Sequence, residues 1–139
     1  MIDEYLKAWL IKANNDLKAA VKLFESGENE EILTDVICFH CQQSIEKYLK
    51  AFLIKNKIEF KKSHNLDYIL QLCINFDEDF KKFDLNELQN FAVEIRYPDE
   101  FYIPTFDETE KSVETAKKIK MFILSKLNVN ENDLKEKEI

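Results

Sequence analysis

Of the 20 basic residues in this 139-residue chain, only Arg96 is an arginine, and it stands directly before Tyr97-Pro98. A guanidinium presents a planar fork that grips a phosphate or carboxylate through two parallel hydrogen bonds, which the ammonium of a lysine does not. Pro98 ends the helix that carries Arg96, so the fork lies at a helix–loop boundary, where binding groups concentrate. The plainer role for it is a structural ion pair with Glu46 or Glu94. Tyr97 and Tyr102 lie close by in sequence and could stack a base beside the fork. Two histidines, His40 and His64, are the side chains whose ordinary titration falls near neutral pH. His64 follows Lys61-Lys62-Ser63, and residues 54–64 hold four lysines against one acid, Glu59. Ser63 or Asn65 can cap a following helix, placing His64 at or beside a helix N-terminus, where backbone N–H groups and lysines attract an anion. A solvated charged loop is the plainer reading of the same residues.

The elements that must position these groups are helical. The chain contains one Gly and two Pro, too few for the tight turns of a β-rich fold. Leu6, Leu10, Ala13, Leu17, Ala20, Val21 and Phe24 recur at three- and four-residue steps, which predicts a first helix over about residues 3–26. Gly27 then occupies the place of a left-handed C-cap. Asn29 caps a second helix over about residues 30–56, with Glu30 and Glu31 at its positive end. On that helix Cys38, Cys41, Ile45, Tyr48, Leu49 and Phe52 form the core face. His40, Gln43, Lys47 and Lys50 form a polar stripe opposite, whose ordinary reading is a solvated surface and whose alternative is a dimer or ligand-facing surface. A third helix carries Leu66, Ile69, Leu70 and Cys73, and a short helix or turn starts at Asp77. A further helix over about residues 84–95 buries Leu85, Leu88, Phe91, Ala92 and Ile95. Thr105-Phe106-Asp107-Glu108 has the capping-box pattern and opens a last helix to about Leu127, with Val113, Ala116, Ile119, Ile123 and Leu127 inward. The expectation is one helical domain over residues 1–127 and a charged, frayed tail over residues 128–139.

Composition bounds the function. The net charge is −7 and the pI near 5.0. Proteins that track a nucleic-acid backbone by bulk electrostatics are usually basic, so only a local phosphate, nucleotide or RNA site is expected here. Cys38, Cys41 and Cys73 do not make a zinc site, which would want two more ligands; His40, between the first two, points about 100° away from its neighbours. They read as small buried thiols in a reducing compartment. No metal or cofactor is expected. The N-terminal residues lack a signal-peptide pattern and no apolar run approaches a membrane span, so a soluble cytoplasmic protein is expected.

Three segments carry a resemblance. Residues 38–53, from Cys38-Phe39-His40-Cys41-Gln42-Gln43 through Glu46-Lys47-Tyr48-Leu49-Lys50-Ala51 to Leu53, resemble the second-helix signature of the HEPN family, roughly FHxQQxxEKxLKAxL. Lys62-Ser63-His64-Asn65-Leu66 is similar to the family's histidine motif at the third helix, and Ala92-Val93-Glu94-Ile95-Arg96-Tyr97-Pro98 resembles its arginine segment. The resemblance spans about the first 105 residues. It implies an all-α, up-and-down bundle of four main helices plus short extra helices, related to the C-terminal domain of kanamycin-type nucleotidyltransferases. It also implies a homodimer that binds nucleotide or RNA and acts beside a minimal nucleotidyltransferase protein, in a toxin–antitoxin-like pair.

By the same resemblance, Arg96 matches the arginine of the family's ribonuclease motif, in which a histidine follows after roughly four to six residues. Here those positions hold Phe101, Tyr102 and Ile103, and none exchanges a proton near neutral pH as imidazole does. The expected contacts are Arg96 as phosphate fork and His64 with Lys61 and Lys62 as a second anion site. Gln43 and Lys47 form a polar wall, and Tyr97 or Tyr102 stacks a base. The alternatives are a metal-independent endoribonuclease pairing Arg96 with a non-standard histidine, His64 or His40, and a purely structural protein-interaction module.

Overall fold

The fold was obtained as a computed structural model, which describes residues 3–28, 32–89 and 103–135. It is an all-α bundle without strands among the described residues. The helices are α1 (Glu4–Glu25), α2 (Thr34–Lys55), α3 (Leu66–Phe76), α4 (Asn86–Gln89) and α5 (Phe106–Leu127). Asp3 caps α1 by accepting from the Leu6 N–H at 2.7 Å. Asn65 does the same for α3 through the Tyr68 N–H, while Ser63 accepts from the Asn65 N–H. The capping box at α5 forms as expected: the Thr105 hydroxyl accepts from the Glu108 N–H, and the Glu108 carboxylate accepts from the Thr105 N–H.

Two local expectations fail. Gly27 is not a left-handed cap: Ser26 closes α1 with φ −76°, and Gly27 lies in a short 3-10 turn over Ser26–Glu28. What requires glycine there is proximity, since a Cβ on Gly27 would sit 2.4 Å from Ile32 Cγ1. The second helix begins at Thr34, later than expected, with Leu33 at its N-cap and no side-chain cap; Asn29, Glu30 and Glu31 lie outside the described residues.

Helix α2 is the axis of the bundle. α1 runs antiparallel to it, with the Ser44 hydroxyl donating to the Ala13 carbonyl and Tyr48 to Asn14. The 56–65 connection then returns along α2, so α3 starts beside Glu46 and runs in the same direction as α2, with Cys73 meeting Leu49 and Phe76 meeting Phe52. α5 closes another side, where the Cys38 thiol donates weakly to the Thr109 and Ser112 hydroxyls. Ile37, Cys38, Cys41, Ile45, Tyr48, Leu49, Ala51 and Leu53 of α2 are fully buried. The expected inward residues of α1, α3 and α5 are buried too, apart from half-buried Val21 and Phe24; Leu85 and Leu88 are buried, and Phe91, Ala92 and Ile95 lie outside the described residues.

Beyond α5 the chain stays on the bundle as far as Lys135, where a frayed tail was expected. Asn128 turns it in the left-handed region, φ 55°, and the 3-10 turn Glu131–Leu134 brings buried Leu134 down beside buried Val129. Two apolar anchors and the Lys120–Glu131 ion pair at 2.7 Å are enough to hold so short a segment. No described helix is long and apolar enough to cross a membrane.

Candidate functional site

The polar stripe expected on α2 is not one solvated face. α1 covers one of its edges and the start of α3 covers the other. On the α1 side, Asp16 receives both His40 Nδ1, at 3.0 Å, and Lys47 Nζ, at 2.5 Å. On the α3 side, Glu46 is 3% exposed and takes Lys50 Nζ at 3.2 Å and His64 Nδ1 at 3.0 Å. Lys50 is therefore a buried partner of an internal carboxylate, contrary to its expected place in solvent, because the 56–65 connection lies over it; its Nζ lies 5.8 Å from the Phe60 ring centroid.

A hydrogen-bond chain on α2 leads to the backbone of His64, on the Glu46 side. Gln43 donates to the Gln42 amide oxygen at 3.0 Å, and Gln42 donates to the His64 carbonyl at 3.5 Å. Gln42 is fully buried. Buried polar groups of this kind demand partners, so the sequence must keep the whole set in register or lose packing.

His64 is the one member of the Glu46 group that reaches solvent, with a side chain 44% exposed. A carboxylate accepts only, so the Nδ1 facing Glu46 carries a proton and donates to it. The same reasoning assigns the Nδ1 proton of His40 to its bond with Asp16. Lys61 and Lys62 are exposed on the connection just before His64, and the Lys61 N–H donates to the Tyr68 hydroxyl. Within the described residues, His64 and Gln43 thus belong to one polar network through Gln42, whereas Lys47 is turned onto Asp16. Arg96, Tyr97 and Tyr102 lie outside the described residues.

Asp16 and Gln42 were not singled out by sequence. Asp16 follows Ala13 by three residues on the buried edge of α1, which is the signal that places it against α2. The Glu46–Lys50 pair was not read from the sequence either, although its i,i+4 spacing is that of a helical ion pair. The thiols are buried, as expected: desolvation pushes Cys38 and Cys41 up, and Cys73 up to about 12.

The HEPN domain family profile matches residues 6–127, and the chain belongs to that family. A crystal structure of an archaeal HEPN homologue aligns with 88% of this chain and 97% of its own, at a TM-score of 0.58 and 21% identity, a likeness of fold. No curated protein matches the chain.

Proposed function

We propose that this HEPN-family chain binds a nucleotide or RNA as a homodimer, beside a minimal nucleotidyltransferase partner in a toxin–antitoxin-like pair. The observation that carries the binding part is the exposed imidazole of His64, held by buried Glu46 and preceded by the exposed Lys61 and Lys62. An anchored ring loses little freedom when it meets an anion, and the lysines raise the local potential on an otherwise acidic molecule. Arg96 is the phosphate fork of this reading, Gln43 and Lys47 its polar wall, and Tyr97 or Tyr102 its stacking group. Fluorescence anisotropy with labelled ATP and a labelled RNA hairpin tests it. Binding that weakens about tenfold in His64→Ala and in Arg96→Ala is expected; unchanged affinity in both folded variants contradicts it. Sedimentation of the chain alone and with a candidate nucleotidyltransferase tests the assembly.

A second reading, a metal-independent endoribonuclease, is favoured by one feature. Glu46 fixes the His64 tautomer in the manner of a carboxylate that orients a general base. It expects cleavage of a structured RNA in the presence of a chelator, abolished by His64→Ala and Arg96→Ala. A folded wild type that leaves the RNA intact removes it.

A further inference from the structure

The outward face of α5 beyond exposed Glu110 and Glu114 has a charge balance unlike that of the molecule. Met121 is 58% exposed, and it and Lys117 form a ridge shared by two grooves. The groove towards α1, about 490 Å³, has Leu17 and Val21 on its apolar wall and Lys18 and Lys22 at its rim. The groove towards the segment before α4, about 810 Å³, has Phe83 and Phe122 on its wall and Lys82 and Lys118 at its rim. Six lysines line the two grooves against three carboxylates, Glu25, Asp84 and Glu131, and Glu131 is already taken by Lys120. Lys18, Lys22, Lys117 and Lys118 are exposed and make no ion pair among the described residues. On a chain of net charge −7 this cationic, apolar-walled face is a concentration of positive charge only partly balanced by its own carboxylates.

We propose that this face docks an acidic amphipathic helix of a partner protein. Its apolar stripe would lie over Met121 and its carboxylates would meet Lys18, Lys22, Lys117 and Lys118. The choice follows from the apolar groups on offer. A single nucleic-acid strand is held by open aromatic faces on which bases stack. Here the Phe122 ring carries Lys82 Nζ at 4.3 Å from its centroid and packs T-shaped with Phe80 and Phe83. The exposed apolar group on the ridge is instead a methionine, whose unbranched, polarisable side chain adapts to leucine-type anchors at i, i+3, i+4 and i+7. Opposite charges flanking such a stripe set orientation and encounter rate.

The test uses the full chain and a fluorescein-labelled synthetic helix of roughly 18 residues with a leucine stripe flanked by glutamates. A companion peptide carries lysines in place of the glutamates, and a labelled oligouridylate is the third probe. The acidic peptide is expected to bind, the basic one not, with affinity falling as salt rises. Lys117→Glu with Lys118→Glu is expected to weaken binding about tenfold, and Met121→Glu about fivefold. All these positions are exposed, and unchanged thermal unfolding confirms that the variants fold. His64→Ala leaves this binding unaltered, which separates the outcome from that at the nucleotide site. Equal binding of both peptides, no binding of the acidic one, or retention in the folded variants overturns the proposal, as does oligouridylate binding through these lysines in its place.

Discussion

Glu46 carries two partners with two oxygens, and only one of the three groups is open to solvent. Removing it leaves the Lys50 ammonium, whose side chain is 7% exposed, buried without a counter-charge. Glu46→Ala is therefore expected to destabilise the fold by about 3 kcal/mol, and replacing both Glu46 and Lys50 by leucine to recover much of that loss. Urea unfolding of Glu46→Leu, Lys50→Leu and the double leucine variant measures the coupling; additive losses would show that the pair does not act as a unit. The cysteines make a second test. Their burial and raised pKa values keep the thiolate scarce, so Cys38, Cys41 and Cys73 are expected to resist iodoacetamide at neutral pH in the native state and react on unfolding. Rapid native labelling would place a thiol at the surface.

At the scale of elements, Gly27, just past α1, and Ile32, just before α2, meet in one close approach. Gly27→Ala drives a methyl into Ile32 and is expected to cost about 1 kcal/mol, relieved when Ile32 is shortened to alanine. No change on Gly27→Ala would mean that the turn is slack. The other end of the bundle is tied by Lys126, which reaches Asp77 at 2.8 Å and Asp79 at 2.6 Å. The Lys126 hydrogen bond holds Asp77 below its ordinary 3.8, and the Asp77 hydrogen bond raises Lys126 above its ordinary 10.5. A depressed carboxylate contributes stability above its unfolded pKa and loses it as pH falls through the folded one. A raised lysine contributes below its unfolded pKa and loses it as pH rises through the folded one. Asp77→Asn is thus expected to flatten the stability profile below pH about 4, and Lys126→Met both that limb and the alkaline one. A thermal-unfolding series across pH reads this directly; profiles that overlay the wild type would contradict it.

These elements also show what the sequence discloses. The faces of α1, α3 and α5 and the Thr105 capping box follow from periodicity and local side-chain chemistry, and they stand in the structure; of the two caps open for α3, Ser63 and Asn65, the structure uses Asn65. The apolar arc of α2 was legible as well, but its polar stripe was misjudged at Lys50. A helix wheel gives direction and not distance, and it is silent on the 56–65 connection folding back over the helix. Asp16 was hidden for the same reason, since it gains meaning only from the two α2 side chains that α1 brings to it. The order beyond α5 was missed because Val129 and Leu134 are only two apolar residues in a charged run.

For the whole molecule, the two proposed tasks of this acidic chain fall on separate cationic regions. The His64 edge is small, carboxylate-anchored and suited to a single phosphate group; the α5 face is broad and suited to a helix. The central claim is that nucleotide or RNA meets the first. An amide chemical-shift titration of the isotopically labelled chain with ATP, then with the RNA hairpin, tests this most directly. The account predicts that the largest shift changes fall on Gln43, Lys47 and residues 61–64, and that they shrink in His64→Ala. Saturating changes confined to Lys117–Met121, or none from either probe, would contradict it.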